Sequence, residues 1–170
     1  GFTWTSFTNA NTGGGLRSDA VYSVNIVGGT VWFGGPNGVS IYNPANNTWS
    51  GYSTADGLPT NLIRSVVPLS SGLLPGLHAF GTGDKGVVIC NLIVFVGQPI
   101  DCSETETQAN GKLPNDFIYD MAVSGRERWI VTAGGVVRVQ TTPFPPGGPE
   151  VRTLYDFDTP GCENIVYANS

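Results

Sequence analysis

The side chains that could do chemistry in this sequence are few: one histidine, His78, three cysteines, Cys90, Cys102 and Cys162, and a small acidic group, Asp156 and Asp158 near Glu163. With a single histidine and no C-x-x-C pair, neither a histidine-rich metal site nor a zinc or haem attachment is signalled. A serine nucleophile needs a base held beside it, and no G-x-S-x-G turn presents a serine to His78. His78 lies between Leu77 and Ala79 in an apolar run, where a structural imidazole is the simpler role. Asp156 and Asp158 are the best candidates for a Ca²⁺ site, because carboxylates two apart on a loop can converge on a hard cation. The rest of an alternating ligand loop is missing, so solvated turn carboxylates are the simpler reading. No other cofactor is indicated, and no residue is assigned a catalytic role.

What must position these groups is an all-β framework. The 170 residues include 24 glycines and 12 prolines, and only 12% are charged, a balance that favours many short elements joined by tight turns. The net charge of −5, with Lys and Arg scattered singly, supplies no basic patch to neutralise phosphates, so nucleic acid is not expected as a partner. The longest apolar run, Leu92 to Val96, is strand-sized and far short of the roughly 20 residues of a membrane helix. No membrane span is expected.

Self-similarity at a fixed period organises the chain. Leu16 to Gly57 holds four strand-like runs: Ala20 to Val27, Thr30 to Gly34, Val39 to Asn43, and Thr48 to Ser53. Between them lie Gly28-Gly29, Pro36-Asn37-Gly38 and Pro44-Ala45-Asn46-Asn47, each a turn-forming group. The layout returns after 42 residues at Leu58 and after a further 55 at Leu113, close to the period of propeller blades. The expected architecture is a β-propeller of four-stranded antiparallel blades, with blade 1 over 16–57, blade 2 over 58–112 and blade 3 over 113–161. Residues 1–15 read as the closing strand of a preceding blade, because Trp4-Thr5-Ser6-Phe7 copies Trp49-Ser50-Gly51-Tyr52. Residues 162–170 read as the opening strand of a further one. Three complete blades with partial blades at both ends would form one propeller domain, apolar on both faces of each blade because blades stack on their neighbours.

In this register Cys90 lies in the third strand of blade 2 and Cys102 opens the fourth. A cross-strand disulfide is expected between them, with two buried thiols as the alternative; a disulfide would fit an oxidising compartment. Cys162 is left to be buried or to pair with another chain. Asn46-Asn47-Thr48 is a glycosylation sequon on a hairpin loop, with Asn46 the acceptor. The excess length of blade 2 reads as an enlarged loop carrying Glu104 and Glu106, and Pro143 to Pro149 as an insertion in blade 3. Long insertions on a rigid scaffold are where recognition tends to reside.

These motifs resemble the two-component regulator propeller repeat of bacterial sensor proteins, which runs as a closing W-x-x-Y-T-x-x-D-G-L-P-x-N-x-I and then a W-x-G-T-x-x-G-V strand pair. Trp49, Tyr52, Asp56, Gly57, Leu58, Pro59 and Asn61 match the first part, and Trp32, Gly34, Gly38 and Val39 the second. Blade 3 retains Leu113, Pro114, Asn115, Ile118, Trp129 and Gly135-Val136, and blade 2 keeps Gly81-Thr82 and Gly86-Val87. The resemblance implies the fold and an extracellular or periplasmic location. It does not imply a signalling reaction, because the kinase and membrane helix of such sensors are not in this sequence.

Trp4, Trp32, Trp49 and Trp129 could stack on a carbohydrate ligand, but their recurrence at fixed blade positions is more simply explained by packing between blades. Asp56-Gly57-Leu58-Pro59 is first of all turn chemistry at a blade junction. The function these features favour is a non-catalytic extracellular or periplasmic module for ligand binding or protein–protein interaction. The alternatives are a structural subunit of a surface or filament assembly, its partial terminal blades completed by strand pairing with copies of itself, and a propeller lyase or hydrolase. The last would gather polar groups of perturbed ionisation at the channel mouth.

Overall fold

The computed structural model describes residues 1–69, 76–92, 100–141, 150–155 and 165–168. Their regular structure is strand, apart from one turn of 3-10 helix at Thr54–Asp56. Sheet 1 contains β1 (Ser23–Val27), β2 (Thr30–Gly35), β3 (Gly38–Asn43) and β4 (Thr48–Tyr52). Sheet 2 contains β5 (Ile63–Pro68), β6 (Leu77–Thr82), β7 (Val87–Asn91) and β8 (Asp101–Glu106). Sheet 3 contains β9 (Ile118–Ser124), β10 (Glu127–Thr132), β11 (Gly135–Thr141), β12 (Glu150–Tyr155) and β13 (Ile165–Ala168). Every sheet is an antiparallel meander in chain order, so each pairing is made across a local hairpin. The turn between β1 and β2 is Gly28-Gly29 with φ of 56° and 83°, the two left-handed positions that a two-residue hairpin of matching twist demands.

The first strands of the three sheets, β1, β5 and β9, lie next to one another. They form the inner edge, from which the sheets extend like blades. In the middle sheet adjacent residues point to opposite faces, and both faces are covered. Phe80, Val66, Val88 and Cys90 pack with Trp32, Val39 and Ile41 of sheet 1. Ala79, Val67, Val87 and Ile89 pack with Met121, Ile130, Val137 and Val139 of sheet 3. This is why the strands lack the apolar–polar alternation of a half-exposed sheet. Full burial of a Val, Ile or Phe contributes about 1.5–3 kcal/mol, so the two interfaces are the principal source of cohesion. Leu16, Leu58 and Leu113, which mark the repeat, are all buried.

One glycine position shows how closely the blades approach. A Cβ on Gly81 would come within 2.7 Å of Ile118 Cγ2, and one on Gly34, at the same place in sheet 1, within 3.1 Å of Ile63. Ile63 and Ile118 each follow the repeat leucine by five residues. The glycine of the W-x-G motif is therefore the seat of the next blade's first inward isoleucine.

Three expectations require correction. Residues 1–15 form no strand: Trp4 is 94% exposed, while Phe7 lies against Tyr42 and Trp49. A strand needs a hydrogen-bonding neighbour, and no described strand pairs with these residues. At the other end, Ile165–Ala168 pairs with β12 as a fifth strand of sheet 3 and does not open a new blade, because the free edge of β12 presents unpaired N–H and C=O groups that an antiparallel return satisfies. Glu104 and Glu106 belong to β8 and not to a loop. Asp156, Asp158, Cys162, Glu163 and the Pro143 to Pro149 insertion lie outside the described residues.

Candidate binding site on the inner strands

The motif residues at the blade junctions hold a loop that occurs three times. The backbone N–H of Thr8, Ser53 and Thr107 donates to a side chain three residues on, Asn11 Oδ1 at 2.8 Å, Asp56 Oδ2 at 2.8 Å and Asn110 Oδ1 at 2.9 Å. The next N–H, of Asn9, Thr54 and Gln108, donates to Asp19 at 2.6 Å, Asn61 at 2.8 Å and Asp116 at 2.6 Å. Each second acceptor follows its repeat leucine by three residues. Asp56 and Asn61 are thus engaged in closing the junction, with Gly57 at φ 107° ending the short helical turn. Pro59 is exposed, Pro114 and Asn115 are half-buried, and Asn115 Oδ1 accepts from the Phe117 N–H at 2.8 Å.

The ionisable and sulfur groups lie within and between the sheets. Cys90 and Cys102 are joined by a disulfide across β7 and β8. His78 stacks on Trp32 of the neighbouring sheet with ring centroids 4.6 Å apart and planes 10° apart. Burial lowers its pKa below the ordinary value, partly opposed by its bond to the Gly76 carbonyl; with Nδ1–H donating to that oxygen at 2.9 Å, Nε2 carries the lone pair. Glu106, completely buried, accepts at Oε1 from Arg128 Nη2 and Arg152 Nη2, each at 2.5 Å. Both arginines come from sheet 3, so this carboxylate ties sheets 2 and 3 together. Burial alone would raise its pKa, but the combined pull of Arg128 and Arg152 holds it below the usual carboxylate range. No local pattern marked this triad: Arg128 and Arg152 stand 22 and 46 residues from Glu106.

The other singled-out residues are dispersed. Trp32 is buried, whereas Trp49 and Trp129 are half-buried, against Tyr42 and Phe33 in one case and Tyr155 in the other. Asn46 is exposed, and its Oδ1 accepts from Thr48 Oγ1 at 2.7 Å. No set of three His, Cys, Asp or Glu residues suited to a metal ion occurs among the described residues.

The structure brings together a group that the motifs did not reveal. Tyr22, Arg64 and Tyr119 each follow their repeat leucine by six residues; Tyr22 immediately precedes β1, and Arg64 and Tyr119 are the second residues of β5 and β9. In β5 the pairing skips from Ile63↔Thr82 to Ser65↔Gly81, and in β9 from Thr132↔Ile118 to Val131↔Asp120. Arg64 and Tyr119 are therefore the extra residues of matching β-bulges, a device that re-aims a side chain out of the regular pleat. The Arg64 guanidinium carbon lies 4.9 Å from the Tyr22 ring centre and 5.1 Å from that of Phe117. Phe117 meets Tyr119 edge-on at 5.1 Å. Tyr22 is 43% exposed and Tyr119 52%. Arg64 makes no ion pair or hydrogen bond with any described residue. Beside it, the exposed Asp120 accepts from Ser65 Oγ at 2.9 Å. The signal in the sequence was the fixed offset of six from each leucine, which unites two tyrosines and an arginine that resemble no motif.

Fold and site together define an all-β, propeller-like scaffold whose inner edge carries Tyr22, Phe117 and two bulge side chains, Arg64 and Tyr119. No protein-family model matches the chain, and no curated protein sequence matches it. Among solved structures it is similar to the extracellular domain of the hybrid two-component system BT3049 from B. thetaiotaomicron, with a TM-score of 0.62 and 18% identity over 87% of this chain. The match covers 20% of that chain, so the sequence spans about a fifth of its neighbour's length. No helix among the described residues is long and apolar enough to cross a membrane.

Proposed function

We propose that this chain is a non-catalytic binding module of the sensor-propeller type, working in an extracellular or periplasmic compartment and recognising its ligand at the inner row of Tyr22, Arg64, Phe117 and Tyr119. The observation that carries this reading is the matching bulge in β5 and β9, which re-aims Arg64 and Tyr119, together with the repeat-equivalent Tyr22 stacked on Arg64, while the surrounding motif residues are engaged in turns and packing. The resemblance to two-component regulator propellers and the similarity to an extracellular sensor domain support it. The Cys90–Cys102 disulfide supports an oxidising location. His78 and Glu106, whose pKa values are shifted by burial and by the two arginines respectively, sit in the packed interfaces and not on the inner row, an arrangement that favours recognition over acid–base catalysis.

The test is calorimetric titration of the disulfide-bonded chain with a panel of neutral and acidic oligosaccharides and short peptides. At least one member should bind, and Tyr22→Ala and Tyr119→Ala should each weaken it tenfold or more without lowering the melting temperature. Full affinity in the double variant would reject the site.

A second reading rests on a separate observation. The face of sheet 1 turned away from sheet 2 leaves Val24 at 64% and Ile26 at 71% exposure, alongside half-buried Val31, Phe33, Tyr42 and Trp49. Such an apolar patch suits a protein partner, including a copy of this chain. Ile26→Lys should abolish any concentration-dependent association seen by sedimentation; association that persists unchanged would place the contact elsewhere.

A further inference from the structure

We infer that Arg64 makes the inner row selective for an anion carried on a ring, a carboxylate or sulfate on a sugar or other flat body. This rests on the binding-module reading and specifies its chemistry.

An arginine on a protein surface is normally paired with a carboxylate or left to extend freely into water. Arg64 does neither. Its guanidinium carbon lies over two aromatic rings that belong to the junctions before and after it, Tyr22 at 4.9 Å and Phe117 at 5.1 Å. A delocalised cation lying over two aromatic rings is well satisfied by dispersion and by the ring quadrupoles. Those contacts consume none of the guanidinium N–H donors. Nε is buried without an acceptor, so the donors that remain for a ligand are the terminal nitrogens. Their fork matches a carboxylate or sulfate in bidentate fashion, and the stacking fixes its orientation in advance.

The neighbours supply the second half of the recognition. Tyr119, in the equivalent bulge of the next sheet, is half-exposed, and its ring edge is buttressed by Phe117. Tyr22 is likewise accessible on the opposite side. A ligand whose anionic group meets Arg64 would thus find a tyrosine on either side, with a rigid apolar face and a hydroxyl at the tip. Asp120 and Ser65, bonded to each other beside this row, add a carboxylate that disfavours a second negative charge on that side. The arrangement therefore suits a single anionic group on a ring and not a polyanion such as nucleic acid.

The experiment uses the intact, disulfide-bonded chain labelled with ¹⁵N and titrated with four probes: methyl β-D-glucuronide, methyl β-D-glucoside, benzoate and inorganic sulfate. The Arg64 Nε–H resonance is followed alongside the backbone. The glucuronide should bind at least tenfold more tightly than the glucoside and shift the Arg64 side-chain signal. Its affinity should fall as salt is raised, as expected for a charge-assisted contact. Arg64→Met, which retains the length of the stem and an apolar contact with the rings but no cation, should erase the difference between acid and neutral sugar, and Arg64→Lys should recover only part of it. Glucuronide binding without benzoate binding would assign the ring to a sugar, and the converse to an aromatic acid; either supports an anionic ring ligand.

Glucuronide and glucoside binding with the same measurable affinity, binding of neither glucuronide nor benzoate, or a preference that survives in Arg64→Met would overturn the inference. If the neutral sugar binds and only Tyr22→Ala or Tyr119→Ala removes it, the binding module stands and the anion selectivity falls. If sulfate shifts Arg64 as strongly as any ring-bearing probe, the selectivity for a ring falls. A melting temperature within a few degrees of the parent chain confirms that each variant is folded.

Discussion

Glu106→Gln is the substitution with the most sharply bounded consequence. The carboxylate is completely buried and accepts at Oε1 from two buried guanidinium groups of sheet 3, each at 2.5 Å. Glutamine has the same size and keeps an acceptor, so what is lost is charge, with no cavity made. Breaking a buried ion pair by removing one partner costs about 3–5 kcal/mol, because the remaining charge is uncompensated. The retained acceptor places this change near the lower end, about 3 kcal/mol. For a chain of this length each kcal/mol corresponds to about 2–4 °C, which gives a drop of about 6–12 °C in melting temperature. Thermal unfolding at pH 7 measures it.

The same group sets an acid dependence. The folded pKa of Glu106 lies below the ordinary 4.5, so its stabilisation is fully present above that value and is lost as pH falls through the depressed folded value. Glu106→Gln should lack this component and lose less stability between neutral and acidic pH than the parent. The triple change Glu106→Leu, Arg128→Met, Arg152→Met should recover most of the stability lost at neutral pH, since apolar replacement of a buried triad is often neutral. A Glu106→Gln chain as stable as its parent, with the same acid profile, would refute the argument.

Three further outcomes follow from the packing. Reducing the Cys90–Cys102 bond, 12 residues apart in sequence, should cost about 3 kcal/mol in the chain-entropy model, seen as a lower melting temperature in reductant that the Cys90→Ser, Cys102→Ser chain no longer shows. His78, whose pKa burial holds below 6.5, stacks on Trp32 as the neutral ring; its stabilisation is present above that pH and is lost as pH falls. His78→Phe should keep the stacking and flatten the pH 5–7 stability profile, and an unchanged slope in urea melts would count against this origin. Gly81→Ala would drive a Cβ into Ile118 and should cost about 1–3 kcal/mol as an overpacked contact; Ile118→Val should return part of it in a double-mutant cycle.

The sheets were legible because their information is local. Leu16, Leu58 and Leu113 announce each unit, and Gly28-Gly29 specifies its hairpin through two residues. Cys90 and Cys102 were paired from strand register alone. Glu106 was misread as a loop residue because Asp101–Glu106 is polar, and the arginines that justify its burial lie across a sheet interface. Trp4 repeats the spelling of Trp49 but not its surroundings, for a strand depends on a neighbour that its own letters do not encode. Arg64 was invisible for a related reason: a bulge is a property of paired strands, and only their register turns a residue out of the pleat. The offset of six from each leucine is the trace that register leaves in the sequence.

The central claim, that Tyr22 and Tyr119 from different blades face one ligand, is tested most directly by hydroxyl-radical footprinting with and without the tightest-binding saccharide of the panel. In the free chain both tyrosines, at 43% and 52% exposure, should be modified readily, as should Trp4 at 94%. Ligand should protect Tyr22 and Tyr119 together and leave Trp4 unchanged. Protection of neither tyrosine, or of only one of them, while the ligand is bound would contradict the account.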